Sequence, residues 1–256
     1  MEVKDGSRSI TSHDSCTGRI IGDSESLELV IEILRKKGVA RAKTNRTREQ
    51  RGSAEKWLKG AYDSLVQGGI DAVRITPLAE KLKLSRTSFY WFFEDRETLL
   101  SALIDLWRAK NTGNLIKQAD CYAESISEAI LNVFDCWLNP ELFDSRFELS
   151  VRGWAQQSTK VSREIGAADE ARLAALRRMF SRFGFAPLPA DVRARTLYLT
   201  QIGYISLKAK EDVATRMSRI GDYVAVFAGA APQHRELDRF FSRHGYTNPD
   251  LVLEEL

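Results

Sequence analysis

An all-α fold is what this chain predicts, on three observations. Apolar side chains recur at three- and four-residue spacings, strand-like alternation is almost absent from residues 114–231, and the breaks fall at residues that cap or stop helices. The pattern divides the chain into an extension over 1–51, a three-helix unit with a connecting helix over 52–113, a larger helical domain over 114–231 and a tail over 232–256. With 29% charged and 43% hydrophobic residues the composition is that of an ordinary globular protein, so a disordered chain is not expected.

Residues 1–25 are rich in Ser, Thr, Gly and Asp without periodicity and read as a flexible tail. His13 and Cys16 lie there, too loosely spaced and without the second pair that a metal site needs. From Ser26 to Lys37, Leu27, Val30, Ile31 and Leu34 follow helical spacing, and Gly38 ends the pattern. Charge is then distributed unevenly. Residues 35–51 hold eight basic side chains against Glu49 alone, a net of +7, whereas residues 52–113 come to +1. The positive field is concentrated in that arm, which is expected to carry much of the salt dependence of any phosphate binding.

Ser53 caps the next helix, whose inner face is Ala54, Leu58, Ala61, Tyr62 and Leu65 and whose stop is Gly68-Gly69. Thr76 with Pro77 predicts the start of a second helix with Leu78, Ala79 and Leu82 inward. Lys83-Leu84-Ser85 interrupts it, and Ser85 caps a third helix from Arg86. That helix sets Phe89 and Phe93 on one side and Arg86, Thr87, Ser88, Tyr90 and Trp91 on the other. Glu94-Asp95 sets up a long helix from about Arg96 to Thr112, with Leu99, Leu100, Leu103, Leu106 and Trp107 inward. Two short helices and a tight turn, with an outer face of hydroxyls, an arginine and aromatics, suit a helix-turn-helix in the DNA major groove. In such a groove Arg86 can bond a guanine edge, and Thr87 or Ser88 can read either base type. Tyr90 and Arg96 can bond phosphates, Trp91 can pack on the sugar-phosphate chain or a methyl group, and Thr76 and Ser85 are further candidates for DNA contact.

The order of helix, glycine stop, Ile75–Leu82, turn, Phe89-Tyr90-x-x-Phe93, Arg96 and Leu99 resembles the N-terminal domain of the TetR family of transcriptional regulators, over about Ser53–Leu106. The resemblance implies a core-facing Phe89, a Tyr90 that touches the DNA backbone and an Arg96 set against a phosphate. Two positions depart from the family pattern: Lys83 stands where glycine is common in the turn, and Phe92 where His or Tyr is common.

Behind this unit, Ile126, Ile130, Val133, Phe134 and Trp137 form one stripe of a helix ended by Asn139-Pro140. Further helices are expected over Glu141–Gln157, Lys160–Arg182, residues 190–210 and Met217–Gly229, with a short one holding Leu237, Phe240 and Phe241. Phe147–Ala155 and Arg193–Tyr204 are also similar to a common subgroup of TetR-like C-terminal domains. The similarity implies that the last two large helices form a four-helix bundle in a homodimer, with Tyr198, Ile202, Ile205, Tyr223 and Phe227 at the interface. It also implies an effector pocket in the preceding helices, for which Trp137, Phe147, Trp154, Met179, Phe183 and Tyr204 are the candidates. Few of these carry charge, which suits a small apolar or aromatic effector.

Three cysteines at wide spacing, Cys16, Cys121 and Cys136, suit a reducing compartment, with Cys121 and Cys136 as small apolar fillers. No signal-peptide or membrane-spanning pattern is legible, which predicts a cytoplasmic protein. His234 and His244 share no helical face and read as surface residues. There is no Gly-rich phosphate loop, HExxH, paired-cysteine metal site or nucleophile elbow, so neither catalysis nor a metal or other cofactor is expected. The expected partner is a double-stranded DNA operator, bound by a homodimeric, ligand-responsive repressor. The competing expectation is a helical adaptor that binds protein through Trp91 and Phe92.

Overall fold

The computed structural model describes residues 53–247, together with Glu32. Of the helix expected over 26–37 only Glu32 is described; the basic arm, His13, Cys16 and residues 248–256 lie outside the described residues. Every regular element among the described residues is helical.

The first unit is built from α1 (Ala54–Gly68), α2 (Ile75–Leu82), α3 (Arg86–Phe89) and α4 (Arg96–Trp107). Ser53 caps α1 by accepting from the Lys56 N–H, and Gly69, at φ +73°, returns its N–H to Leu65 as the helix stops. The start of α2 corrects one expectation: Arg74 is the N-cap and supplies no side-chain bond, so Thr76 and Pro77 lie inside the helix. At its end Lys83 adopts φ +54°, while the Leu84 N–H bonds Ala79 O and the Lys83 N–H bonds Glu80 O. These two bonds close a Schellman turn with lysine in the left-handed position, where glycine would avoid a cost of roughly 1–2 kcal/mol. Ser85 and Asp95 cap α3 and α4 through the Ser88 and Thr98 N–H groups.

The core of this unit is aromatic. Trp57 meets Phe89 edge-on at 5.2 Å, and Phe89 stacks on Phe93 at 5.5 Å, all three fully buried. Truncating a ring in such a core costs about 3–5 kcal/mol. The position of α3 is thus set by the residues on its inner side.

Beyond α4 the rod does not end near Thr112. Arg108–Gly113 continue it as a π-helical turn into α5 (Asn114–Asp120), so one rod runs from the first unit into the second. The rest comprises α6 (Ile126–Leu138), α7 (Ser145–Ala155), α8 (Thr159–Arg182), α9 (Pro187–Ser206), α10 (Val213–Ser218), α11 (Ile220–Ala228) and α12 (His234–Arg243). Serines and aspartates cap most of them: Ser125 for α6, Asp144 for α7, Ser158 for α8 and Asp212 for α10. Residues 232–247 are no loose tail. Phe240 and Phe241 are buried in the C-terminal core, and the His244 ring pairs with Asp135 at 2.8 Å and packs on Phe240, so His244 is not a surface residue. Cys136 is a buried filler, but Cys121 is only half-buried. No described helix is long and apolar enough to cross a membrane.

Candidate nucleic-acid interface and effector cleft

The outer side of the α2–turn–α3 unit carries Thr76, Ser85, Arg86, Thr87, Tyr90 and Trp91, all exposed. Tyr90 and Trp91, both about half exposed, follow α3 in a turn and sit over the buried Phe89 and Phe93. The Ser85 oxygen accepts from the Ser88 N–H and is thereby committed to capping α3. Two exposed cations that sequence reasoning left out of the site, Arg74 and Lys83, stand at the two ends of α2. Their signal was present: both are cations at the ends of a short helix beside the reading face. Because Arg74 gives no side-chain cap and Pro77 has no N–H, the Ile75 and Thr76 N–H groups at the start of α2 are left without a side-chain acceptor, the groups that a phosphate would take.

Two of the expected DNA contacts are corrected. Ser88 is buried and its Oγ donates to Ser85 O at 2.7 Å, so it faces the turn rather than the groove. Arg96 is half-buried and donates from Nε to Val73 O at 2.6 Å and from Nη2 to Ile70 O at 3.1 Å. Its guanidinium binds the α1–α2 connector to the start of α4. Hydrogen bonds from a charged group contribute about 1.5–3 kcal/mol. Arg96→Ala is therefore expected to lower the unfolding free energy by about that much in urea titration while leaving the salt slope of DNA binding unchanged. A phosphate contact would give the opposite pair of results: unchanged stability and a slope reduced by roughly one.

Where the rod crosses into the C-terminal domain, a polar cluster forms around a centre sealed from water, with Arg152 and Asp169 partly exposed at its edge. Glu148 of α7 and Arg172 of α8 have no exposed surface and form a two-pronged pair, with bonds of 2.8 and 3.1 Å. Trp107 Nε1 donates to Glu148 Oε2 at 2.7 Å, Asn111 Nδ2 donates to the same oxygen, and Arg172 Nε donates to Thr112 Oγ1. Arg152, Asp169 and Tyr198 complete it: Arg152 bonds Glu148 and Asp169, and the Tyr198 hydroxyl donates to Asp169 at 2.6 Å. Burial alone would raise the Glu148 carboxyl, but the Arg172 guanidinium, with help from Arg152 and Asn111, holds it down at about 2. Arg172 is held above its usual value by Glu148 despite burial, and burial pushes the Tyr198 hydroxyl up. The cluster includes the π-helical turn itself, which supplies Asn111 and Thr112. A π-turn exposes backbone bonds to rearrangement, and such turns are frequent at functional sites.

The expected pocket residues do not converge. Trp137 and Tyr204 meet in one cleft, where Tyr223, placed by sequence at the dimer face, also lies. Trp154 lines a separate, charged cleft between α4 and α8 with Arg96, Arg108 and Glu164. Phe147 packs edge-on against Tyr62 of α1, Met179 is buried in the C-terminal core, and Phe183 packs under Arg182. The expected dimer residues are corrected as well. Tyr198, Ile205 and Phe227 are buried within the protomer, and Ile202 and Tyr223 are half-buried against the same core. What α9 turns outward is Leu188, Val192 and Leu199, all more than half exposed, and α11 adds Val226. The Arg193 guanidinium donates to Phe227 O, which fixes the two helices side by side.

Residues 58–103 match the family model described as bacterial regulatory proteins, tetR family. Over 63 residues the chain is 32% identical to the tetracycline repressor protein class A from transposon 1721 of Escherichia coli. That stretch is 25% of this chain and 29% of the relative, so the likeness spans less than a third of the relative's length. A solved structure, a candidate tetR-family transcriptional regulator from Mesorhizobium loti, covers 77% of this chain and 98% of its own at 14% identity and a TM-score of 0.49. A likeness at that level says nothing of function.

Proposed function

We propose that this chain, whose residues 58–103 are a DNA-binding domain of the tetR family of bacterial regulatory proteins, is a cytoplasmic homodimeric repressor of a palindromic operator, released by a small effector. The observation that carries this reading is the exposed set of Arg86, Thr87, Tyr90 and Trp91 held over the buried Phe89 and Phe93, beside the open N-terminus of α2. Arg86 and Thr87 choose the sequence through base edges, while Tyr90, Arg74, Lys83 and the α2 backbone take phosphates. The basic arm over 35–51 adds affinity without choosing sequence.

The exposed side chains of Leu188, Val192 and Leu199 on one side of α9, with Val226 of α11, support the dimer, because grouped exposed apolar side chains mark interaction surfaces. Two-fold pairing there presents two reading helices to two half-sites. An effector that binds more tightly to the form with wrongly spaced reading helices lowers operator affinity by its preference between the two forms. Selection of bound duplexes from a random-sequence library tests the function. Enrichment of a two-fold-symmetric motif supports it, and recovery no better than for shuffled duplexes removes it.

A further inference from the structure

Between α6, α9, α10 and α11 the C-terminal domain holds two clefts with a common wall. The first is a small apolar cavity of about 50 Å³, closed by Phe134, Trp137, Leu138, Ile220 and Tyr223. The second, of about 290 Å³, opens beside the start of α7 and is lined by Arg146, Lys208 and Arg216 as well as Leu149 and Ile205. Gln201, Tyr204 and Arg216 line both, so the two clefts adjoin and together make a groove that is aromatic at one end and cationic at the other.

The cationic end is uncompensated. Several arginines elsewhere in the C-terminal half are paired with carboxylates, Arg177 and Arg195 with Asp191 and Arg239 with Glu128. Among the described residues none of Arg146, Lys208 and Arg216 has a carboxylate within ion-pair distance. The Arg216 guanidinium instead lies over the Tyr204 ring, 5.6 Å from its centre. Glu211 is the one carboxylate on the lining, and it is bound by Arg219. At the aromatic end the Tyr204 and Tyr223 hydroxyls satisfy each other at 2.6 Å, leaving the rings as an apolar wall. Three like charges facing one space repel each other, and an anion placed among them relieves that repulsion and gains charge-assisted hydrogen bonds.

The geometry points to an amphipathic monoanion as the occupant: a carboxylate held by Arg146, Lys208 and Arg216, with an aromatic or short hydrocarbon body passing Tyr204 towards Trp137 and Tyr223. This inference rests on the reading of the C-terminal domain as the effector-binding half, and it changes the expected effector from a small apolar or aromatic compound to an acidic one. The same groove is joined to both ends of the proposed mechanism. Arg146 and Leu149 flank Glu148, which bonds Trp107 on the rod from the DNA-binding unit, and α9 carries the exposed stripe on its other side.

Titration calorimetry of the full chain with 4-phenylbutyrate and 4-phenylbutyramide, in the absence of DNA, tests it. The acid is expected to bind about tenfold or more tightly than the amide, and the Lys208→Gln, Arg216→Gln double variant to lose that preference while its amide affinity stays within about twofold. Equal affinity of acid and amide, undiminished acid binding by the double variant, or no binding of either compound would overturn the inference. The acid-to-amide comparison on the unaltered protein decides the matter even where the variant fails to fold. Because no DNA is present, these failures leave the operator-binding reading standing, and a failed operator selection leaves this result standing.

Discussion

Glu148→Gln is expected to lower the unfolding free energy by about 3–5 kcal/mol, a large part of the stability of an ordinary domain. The substitution keeps the volume and removes only the charge. It leaves the Arg172 guanidinium, which has no exposed surface, with Asp169 at 3.7 Å as its remaining carboxylate. Whichever oxygen becomes the amide nitrogen, it then faces donors: Trp107, Asn111 and Arg172 at one position, Arg152 and Arg172 at the other. The pH dependence has a definite sign. Glu148 is held at about 2 in the folded chain against 4.5 for an unperturbed glutamate, so its contribution is fully present above about pH 4.5 and is lost as pH falls towards 2. Urea titrations across that window should therefore show a steeper loss of stability for the unaltered protein than for Glu148→Gln. Parallel curves, or a loss under about 1 kcal/mol at neutral pH, would mean that the cluster is not the sealed unit described.

Leu199→Glu is expected to convert the dimer to a monomer and to weaken binding to a two-half-site duplex by about 100-fold or more. Leu199 is the last member of the exposed stripe, lies inside α9 and is more than half exposed in its own protomer, so the helical content should be retained. A charge there is harmless in the monomer but is buried twice in a two-fold interface, where it finds no partner. Sedimentation equilibrium and circular dichroism on the same sample separate the two effects. A variant that stays dimeric places the interface elsewhere. A variant that loses its helices instead assigns Leu199 to the protomer's core.

What was legible in the sequence was what depends on near neighbours along the chain. Ser53 and Ser85 cap helices in the structure as their positions predict, because the bond they make reaches only three residues forward. The inward faces of α1 and α4 follow from periodicity for the same reason. Direction in space was harder. Arg96 sits at the expected place in α4, yet its guanidinium turns to the carbonyls of Ile70 and Val73, which only the folded chain brings near, and Ser88 turns back to the Ser85 carbonyl instead of outward. Periodicity also cannot say whose core an apolar stripe joins. Tyr198, Ile205 and Phe227 form convincing stripes but fill the protomer's own core, while the sparser Leu188, Val192 and Leu199 face outward among arginine and threonines.

The buried cluster was missed because charged residues on a helix are ordinarily solvated. Its trace in the sequence is faint: Glu148 and Arg152 lie one turn apart within an otherwise apolar run, and Arg172 stands in an alanine-rich stretch that packs close to α5. The π-helical turn has no local signature in the sequence, and its residues Asn111 and Thr112 bond Glu148 and Arg172 from distant parts of the chain.

The most direct measurement is the comparison of duplexes selected from a random library by the unaltered protein and by Arg86→Ala. The unaltered chain should enrich a two-fold-symmetric site, and Arg86→Ala should relax one base position in each half-site, at a cost of about 1–3 kcal/mol for each lost contact, with the other positions kept. An unaltered protein that enriches no motif, or a variant whose motif is the same at every position, would contradict the assignment of Arg86 and its neighbours as the residues that read DNA.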